Sequence, residues 1–330
     1  MKVLVTGGSG FIGSHVVDRL RRRGVAVRVF DMVMPTFRQD IEFYHGSLLD
    51  PEALRMALNG VDAVYHLAAV ADVKDVYNEP AYGEAINVRG TLNVLEAIRR
   101  SAGVKRLIYG STTWVYGGAA DTHVDETTPL GPPAHLYTAT KIASEYYCQS
   151  YMTMYRLPVT ILRYGIPYGP RAREGAVVPI FVGKALRGEP LTLAGDGGQF
   201  RKFVYVEDLA EGNVLALQPV AANKIYNLDG EETVTIRQIA EGIQRLLGQV
   251  KIEYGPPRPG DFSGKDVSSR RAKDELGWQP SVRFEEGLKR YIAWYQEHLA
   301  AREGEWAQVD DMFKAAPVRA SADRQPRGAT

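Results

Sequence analysis

Mostly apolar runs of four to seven residues punctuate the first half of the chain, at 2–6, 25–30, 42–45, 62–66, 104–110 and 159–164. Between them apolar residues recur at helical spacing over 12–23, 51–58, 80–101 and 136–156. Strand-length apolar runs alternating with amphipathic helices predict a parallel sheet covered on both faces. Asp50-Pro51-Glu52 reads as a helix N-cap followed by proline in the first turn. The alternation breaks after residue 164, where 165–199 carries prolines at 167, 170, 179 and 190 together with many glycines. Such a stretch is expected to leave the sheet and build a lid. A helix is expected at 207–217, with Glu207 and Asp208 complementing its dipole. A last strand follows at 225–228, and helices at 235–247 and 283–299. The expected division is a first domain of residues 1–164, with 200–230 returning to it, a smaller lobe of 165–199 and 231–302, and a tail of 303–330, flexible from 315.

The first strand runs straight into Gly7, Gly10 and Gly13, and then into a helical pattern at His15, Val16, Val17 and Leu20. The three glycines serve separate ends: a sharp turn out of the strand, close approach of backbone to a pyrophosphate, and tight packing of helix on sheet. A pyrophosphate then rests on unpaired amides at a helix N-terminus, where the dipole favours negative charge. The next strand ends in Asp31. A carboxylate there accepts hydrogen bonds from an adenosine ribose and repels a 2′-phosphate, which selects NAD over NADP.

Length and composition narrow the rest. A chain of 330 residues suits two lobes, and an apolar content of 45% supplies a sizeable core. The net charge of +1, without a basic stripe, implies neither nucleic acid nor an anionic membrane as partner. No apolar run reaches the roughly 20 residues that span a bilayer. No export signal is visible, and the single cysteine, Cys148, rules out an intrachain disulfide and a multi-cysteine metal site. The six histidines show no ligand spacing, so no metal is expected. A reducing, cytoplasmic setting is the expectation.

Candidate chemistry gathers at strand ends. The strand at 62–66 ends in His66-Leu67-Ala68-Ala69, small residues that suit close passage of a cofactor. Asn87 is the polar residue of the following helix expected to aim at the cofactor side. The strand at 104–110 ends in Ser111-Thr112-Thr113, hydroxyls placed to donate to a substrate oxygen. Tyr137 and Lys141, four apart, lie on one helical face. A tyrosine hydroxyl titrates near 10, so it is a poor base at neutral pH, and lowering it by roughly three units takes about 4 kcal/mol. A positive charge about 4 Å away supplies that much at an effective dielectric near 20. Lys141 provides one such charge and an oxidised nicotinamide another.

In this order the motifs resemble those of the extended short-chain dehydrogenase/reductases, in particular the NAD-dependent sugar-nucleotide epimerases and dehydratases. The resemblance covers residues 1 to about 298. It is carried by Thr-Gly-Gly-Ser-Gly-Phe-Ile-Gly (6–13), His-Leu-Ala-Ala (66–69), Asn-Val-Arg-Gly-Thr (87–91), Val-Tyr-Gly (115–117) and Tyr-x-x-x-Lys. Leu162-Arg-Tyr164, Tyr168-Gly-Pro170, Gly195-Asp-Gly197 and Val204-Tyr-Val-Glu-Asp208 add to it. It implies a Rossmann-type doubly wound sheet with a smaller C-terminal substrate lobe, and a homodimer packed through helices near 91–101 and 138–155. It implies a catalytic set of Thr112, Tyr137 and Lys141, and contacts to NAD from Gly7, Gly10, Phe11, Ile12, Gly13, Asp31, Ser47, Leu48, Leu67, Ala68, Ala69, Asn87, Tyr137, Lys141 and Tyr164. For the nucleotide-diphosphate sugar it points to Thr112, Thr113, Trp114, Ile166, Arg173, Val178, Arg201, Arg258 and Asp261. Arginines suit a diphosphate because guanidinium forks match phosphate oxygens.

The residues after Thr112 set the subclass. Relatives that eliminate water carry Asp-Glu there, decarboxylases carry Glu in the second place and 3,5-epimerases Cys; here they are Thr113 and Trp114. Trp114 can neither give nor take a proton at carbon, which leaves plain hydride transfer, most simply 4-epimerisation. The family's Arg-Tyr-Phe-Asn has become Arg163-Tyr-Gly-Ile166, its Arg-Asp-Phe has become Arg201-Lys-Phe203, and Gly-Asp has become Gly46-Ser47. The positive charge of Lys202, Arg171 and Arg173 raises the further expectation that Arg173 meets an acidic substituent such as a uronate. A 4-ketosugar reductase, an epimerase acting at C2 and a non-catalytic NAD-binding scaffold are the alternatives.

Overall fold

The computed structural model describes residues 1–248, 250–256 and 264–315. Seven strands form one parallel sheet. From one edge they run Lys224–Leu228, Val159–Tyr164, Leu107–Thr112, Ala63–His66, Lys2–Thr6, Ala26–Asp31 and Glu42–His45. Chain order reverses at the first strand, so the sheet is doubly wound with its switch point between Lys2–Thr6 and Ala63–His66. This is the Rossmann-type architecture expected, and each strand lies within three residues of its expected place.

Two apolar cores flank the sheet. Val3 and Val5 face Val16, Val17 and Leu20 of helix Phe11–Arg22 on one side, while Leu4, Val64 and Leu107 face Leu54, Val94 and Leu95 on the other. Asp50 caps helix Pro51–Ala57 by accepting from the amides of Glu52 and Ala53, each at 3.0 Å. The helical stretch at 80–101 is built from Pro80–Glu84 and Gly90–Arg100, joined by a wider π-type turn at Ala85–Arg89. The Asn87 carbonyl within that turn accepts from the hydroxyls of Thr91 (2.6 Å) and Ser144 (2.9 Å).

The second lobe has its own core, in which Tyr168, Phe181, Phe203, Ile239, Leu288 and Tyr291 pack together. Its three-stranded sheet pairs Phe200–Tyr205 with Ile166–Tyr168 and Thr233–Thr235, and a strand pair joins Leu191–Ala194 to Ile252–Gly255. Val177–Leu186, in the stretch expected to form a lid, is a helix. The chain therefore rejoins the first domain later than residue 200. Strand Phe200–Tyr205 hydrogen-bonds within the smaller lobe, its side chains splitting so that Val204 enters the first core while Phe203 and Tyr205 enter the second. Helix Val206–Leu215 then packs on helix Phe11–Arg22, where Glu211 pairs with Arg19 at 2.6 Å. The last helix, Phe284–Ala315, extends well into the expected tail, through a run of good helix formers from Ala300 to Glu303.

Among the described residues no helix is long and apolar enough to cross a membrane. None of their His, Cys, Asp and Glu side chains cluster in a group able to hold a metal ion.

The two lobes are locked at Asp208. Its carboxylate accepts from the Ser281 amide (2.9 Å), the Ser281 hydroxyl (2.6 Å) and the Val282 amide (2.9 Å), while its carbonyl accepts from the Trp278 indole at 2.8 Å. Asp208→Ala strips the acceptor from three donors at once, so it is expected to cost about 2–4 kcal/mol of stability, read from the midpoint of urea unfolding at unchanged slope.

Candidate active site

The glycine turn is shaped by contacts that no side chain would survive. Gly7 adopts φ +72°, and its amide donates to the Phe30 carbonyl at 3.0 Å. A Cβ on Gly7 would lie 2.6 Å from the Ala68 amide nitrogen, and one on Gly13 would lie 2.0 Å from the Gly7 carbonyl oxygen. Helix Phe11–Arg22 starts immediately after Gly10, with no side chain capping its first amides. Those amides are donors in search of an anion. Asp31, at the tip of its strand, braces the turn: one carboxylate oxygen accepts from the Ser9 amide (3.1 Å) and the other from the Val33 amide (3.1 Å).

A cleft of about 730 Å³ opens at the carboxyl ends of the strands. Gly7, Gly10, Phe11, Ile12, Gly13 and Asp31 line one end; Leu48 and Leu67-Ala68-Ala69 form the middle. Thr112, Trp114, Tyr137, Tyr164, Ile166 and Arg173 surround the other. A glycine cradle, uncapped amides and a carboxylate at the second strand's tip are the donor set a dinucleotide requires, so the residues present fit NAD.

Three consecutive residues of one strand tip meet three turns of helix Leu136–Tyr155. The Thr112 hydroxyl stands beside the Tyr137 phenol and favours its ionised form. The Lys141 ammonium donates to the Gly110 carbonyl at 2.6 Å and lies 4.5 Å from the centre of the Tyr109 ring. The Ser111 hydroxyl donates to Glu145 at 2.5 Å. Burial pushes the Tyr137 phenol up to about 12, against the lowering effects of the Arg173 charge and the Thr112 hydroxyl. Burial also draws the Lys141 ammonium down to about 8, opposed by the negative charge of Glu145. The expectation that Lys141 faces the phenol is thus not the arrangement found: Arg173 is the cation that acts on it, and Lys141 turns to the strand carbonyl instead.

Several residues expected at the site stand behind its walls. Asn87 is buried and braces the cleft from the rear: its side-chain Oδ1 accepts from the Val70 amide (2.8 Å), and its Nδ2 donates to the Val70 carbonyl and the Thr140 hydroxyl, both at 3.0 Å. The Ser47 hydroxyl accepts from the Leu49 amide at 3.2 Å, and Thr113 is buried in the turn after the strand. Val178 lies in the second lobe's core, since its helix turns that side inward. Arg201 donates to the carbonyl of Phe200 at 2.7 Å, outside the cleft lining. Arg258 and Asp261 lie outside the described residues. Trp114 is 40% exposed and does border the cleft.

Asp72 escaped the sequence reading. It lines the cleft, caps helix Val73–Asn78 through the Lys74 amide (2.9 Å), and accepts from Arg173 at 3.2 Å. Its position six residues beyond the end of strand Ala63–His66 was the signal that could have found it, because ligands in such sheets bind at that end.

The sequence profile of the NAD dependent epimerase/dehydratase family matches residues 3–229. The chain is 33% identical over 318 residues to a UDP-glucuronate 4-epimerase of Thermodesulfobacterium geofontis, covering 90% of this chain and 96% of that protein. It is 32% identical over 323 residues to a UDP-N-acetyl-alpha-D-glucosaminuronate decarboxylase of Bacillus cytotoxicus, covering 90% and 98%. The UDP-glucose 4-epimerase of Thermotoga maritima, solved with UDP-glucose, superposes with a TM-score of 0.86 at 35% identity over 91% of this chain and all of that one. With the glycine cradle in place at the end of a doubly wound sheet, the chain is a member of the NAD-dependent epimerase/dehydratase family.

Proposed function

We propose that the protein inverts C4 of a nucleotide-diphosphate sugar, a UDP-hexose or UDP-uronic acid, through a transient 4-keto sugar. The observation that carries this reading is the pairing of Thr112 with Tyr137 inside the cleft, followed by Thr113 and Trp114 in place of any second proton-transfer group. NAD, when bound, supplies the hydride acceptor and donor and, in its oxidised form, a positive charge. Tyr137 as phenolate takes the C4 hydroxyl proton while Thr112 donates to the same oxygen. The keto sugar turns about its diphosphate, and Tyr137 returns the proton when hydride re-enters at the other face, inverting C4 with no net redox change.

Charge arithmetic shows what the phenol needs. A fall from about 12 to ionise at pH 7 amounts to roughly 7 kcal/mol. One cation at 4 Å supplies about 4 kcal/mol, so the nicotinamide charge alone falls short. Arg173, whose charge acts to lower the phenol, is the residue of this chain that adds to it.

Arg173 is 54% exposed and pairs with Asp72, a surface pair of the kind worth roughly 0.2–1 kcal/mol. A substrate carboxylate exchanges with such a partner at little cost, which supports a uronic-acid substrate. The outer side of helix Leu136–Tyr155 exposes Tyr146, Tyr147, Met154 and Tyr155, which supports pairing of two copies along this helix.

Tyr137→Phe is expected to lower kcat about 100-fold or more, measured by NMR of the epimerised sugar nucleotide without added NADH; turnover near wild type rejects the assignment, and a requirement for stoichiometric NADH favours a 4-ketosugar reductase. Arg173→Ala is expected to lower kcat/KM for UDP-glucuronate by about tenfold or more relative to UDP-glucose, since a charge-assisted pair is lost with one substrate and not the other.

A further inference from the structure

Behind the proposed catalytic groups lies a buried polar chain with no part in the proton transfer just described. Glu145 is 1% exposed and sits on helix Leu136–Tyr155 one turn beyond Lys141 and two beyond Tyr137. It accepts from the Ser111 hydroxyl at 2.5 Å and is clamped by Arg163, whose Nε donates at 3.0 Å and Nη2 at 2.7 Å. Arg163 also donates to the Tyr116 phenol at 2.6 Å, and that phenol donates to Asn227 at 2.9 Å. A buried carboxylate costs several kcal/mol to desolvate, and a glutamine would make many of the same neutral contacts. A charge kept at that cost asks for a reason.

The spacing supplies one. Residues 137, 141 and 145 fall on one side of the helix and meet 112, 110 and 111 of the strand tip. We propose that Glu145 is a positioning residue for the Thr112–Tyr137–Lys141 set: through Ser111 it fixes the strand tip against the helix, and its buried negative charge keeps Lys141 an ammonium. This rests on the reading of that set as the proton-transfer machinery.

The surroundings of Lys141 leave few other sources for that charge. The Tyr109 ring and Gly110 carbonyl approach from its strand, His66 from the neighbouring strand, and Glu145 and Cys148 from its own helix. Burial holds the His66 ring neutral, its pKa lowered to about 3, and pushes the Cys148 thiol and Tyr109 phenol well up, so none of the three is an anion or cation at neutral pH. The Arg163 guanidinium, on the far side of Glu145, is a permanent cation. Glu145 is the negative charge among these groups, and it offsets the burial that draws Lys141 down to about 8. Without it the ammonium fraction at pH 7.5 falls, and so does the charge that holds Lys141 on the Gly110 carbonyl of the strand tip.

The test uses the full-length protein and the 15N chemical shift of the Lys141 amine, assigned with Lys141→Arg and titrated from pH 5 to 10. This readout needs no turnover, so it stands even where the epimerase reading fails. In Glu145→Gln the Lys141 midpoint is expected to fall by about one pH unit or more, and the alkaline limb of kcat to move down with it, while KM changes less than about twofold. Glu145→Asp, which keeps the charge, is expected to hold the midpoint and lose kcat; Ser111→Ala is expected to do the same. A folded Glu145→Gln protein with an unmoved Lys141 midpoint overturns the proposal. Where the Gln variant does not fold, wild-type kcat in both Glu145→Asp and Ser111→Ala overturns it independently.

Discussion

The closeness of the first helix to the first strand is the constraint on which the site depends. Gly13 packs on the Gly7 carbonyl with no room for a methyl group, and Gly7 in turn abuts Ala68 from the neighbouring strand's exit. Three backbone segments therefore converge within van der Waals contact at the switch point of the sheet. Their convergence aims helix amides at the cleft, lets the small residues 67–69 form its floor, and puts the Thr112 tip one strand further along. Asp31 ties the second strand's end to the same turn through the Ser9 amide, so the feature expected to choose the cofactor also braces the cradle that would hold it.

Buried charges inside the first domain are few, and each takes part in hydrogen bonding. Lys141, Glu145 and Arg163 are all buried, and each has a hydrogen-bonding partner from a different element. Arg106 is held by the Thr160 hydroxyl and the Ala216 carbonyl, the latter at 2.9 Å, and His66 bridges Thr6 and Thr91 while remaining neutral. An ion pair such as Glu145–Arg163 adds little net stability once desolvation is counted, but breaking it leaves an uncompensated charge. They make the register of strand and helix sharp, because sliding either by one residue would strand a buried charge.

Period and punctuation made the first domain legible from its sequence. Seven strands follow from the alternation and the glycine turn from its punctuation, while Thr112 is singled out by the resemblance and not by the pattern. What sequence did not disclose was side-chain direction. Asn87 looks like a cofactor ligand because it sits in a motif after a strand; the π-type turn rotates it onto Val70, and its hydrogen-bonding capacity is used there. Lys141 lies one turn from Tyr137 as spacing requires, yet its long stem reaches the Gly110 carbonyl first. The second lobe was harder to read because its strands are three to six residues long and lie far apart in sequence, and because Phe200–Tyr205 serves two cores with alternate side chains.

The departures from the family pattern also sort themselves by direction. Lys202, standing where an acid is usual, gives its ammonium to Asp266 and to the Val267 carbonyl, and so joins the second lobe's sheet to strand Asp266–Val267 instead of meeting a sugar. Arg171 is drawn back to Asp18 of the first helix at 2.9 Å. Of these three basic residues, Arg173 is the one that lines the cleft. The extra positive charge is therefore not a diffuse field: Lys202 and Arg171 are spent on tying elements together, and the guanidinium that faces the cleft is that of Arg173, loosely shared with Asp72.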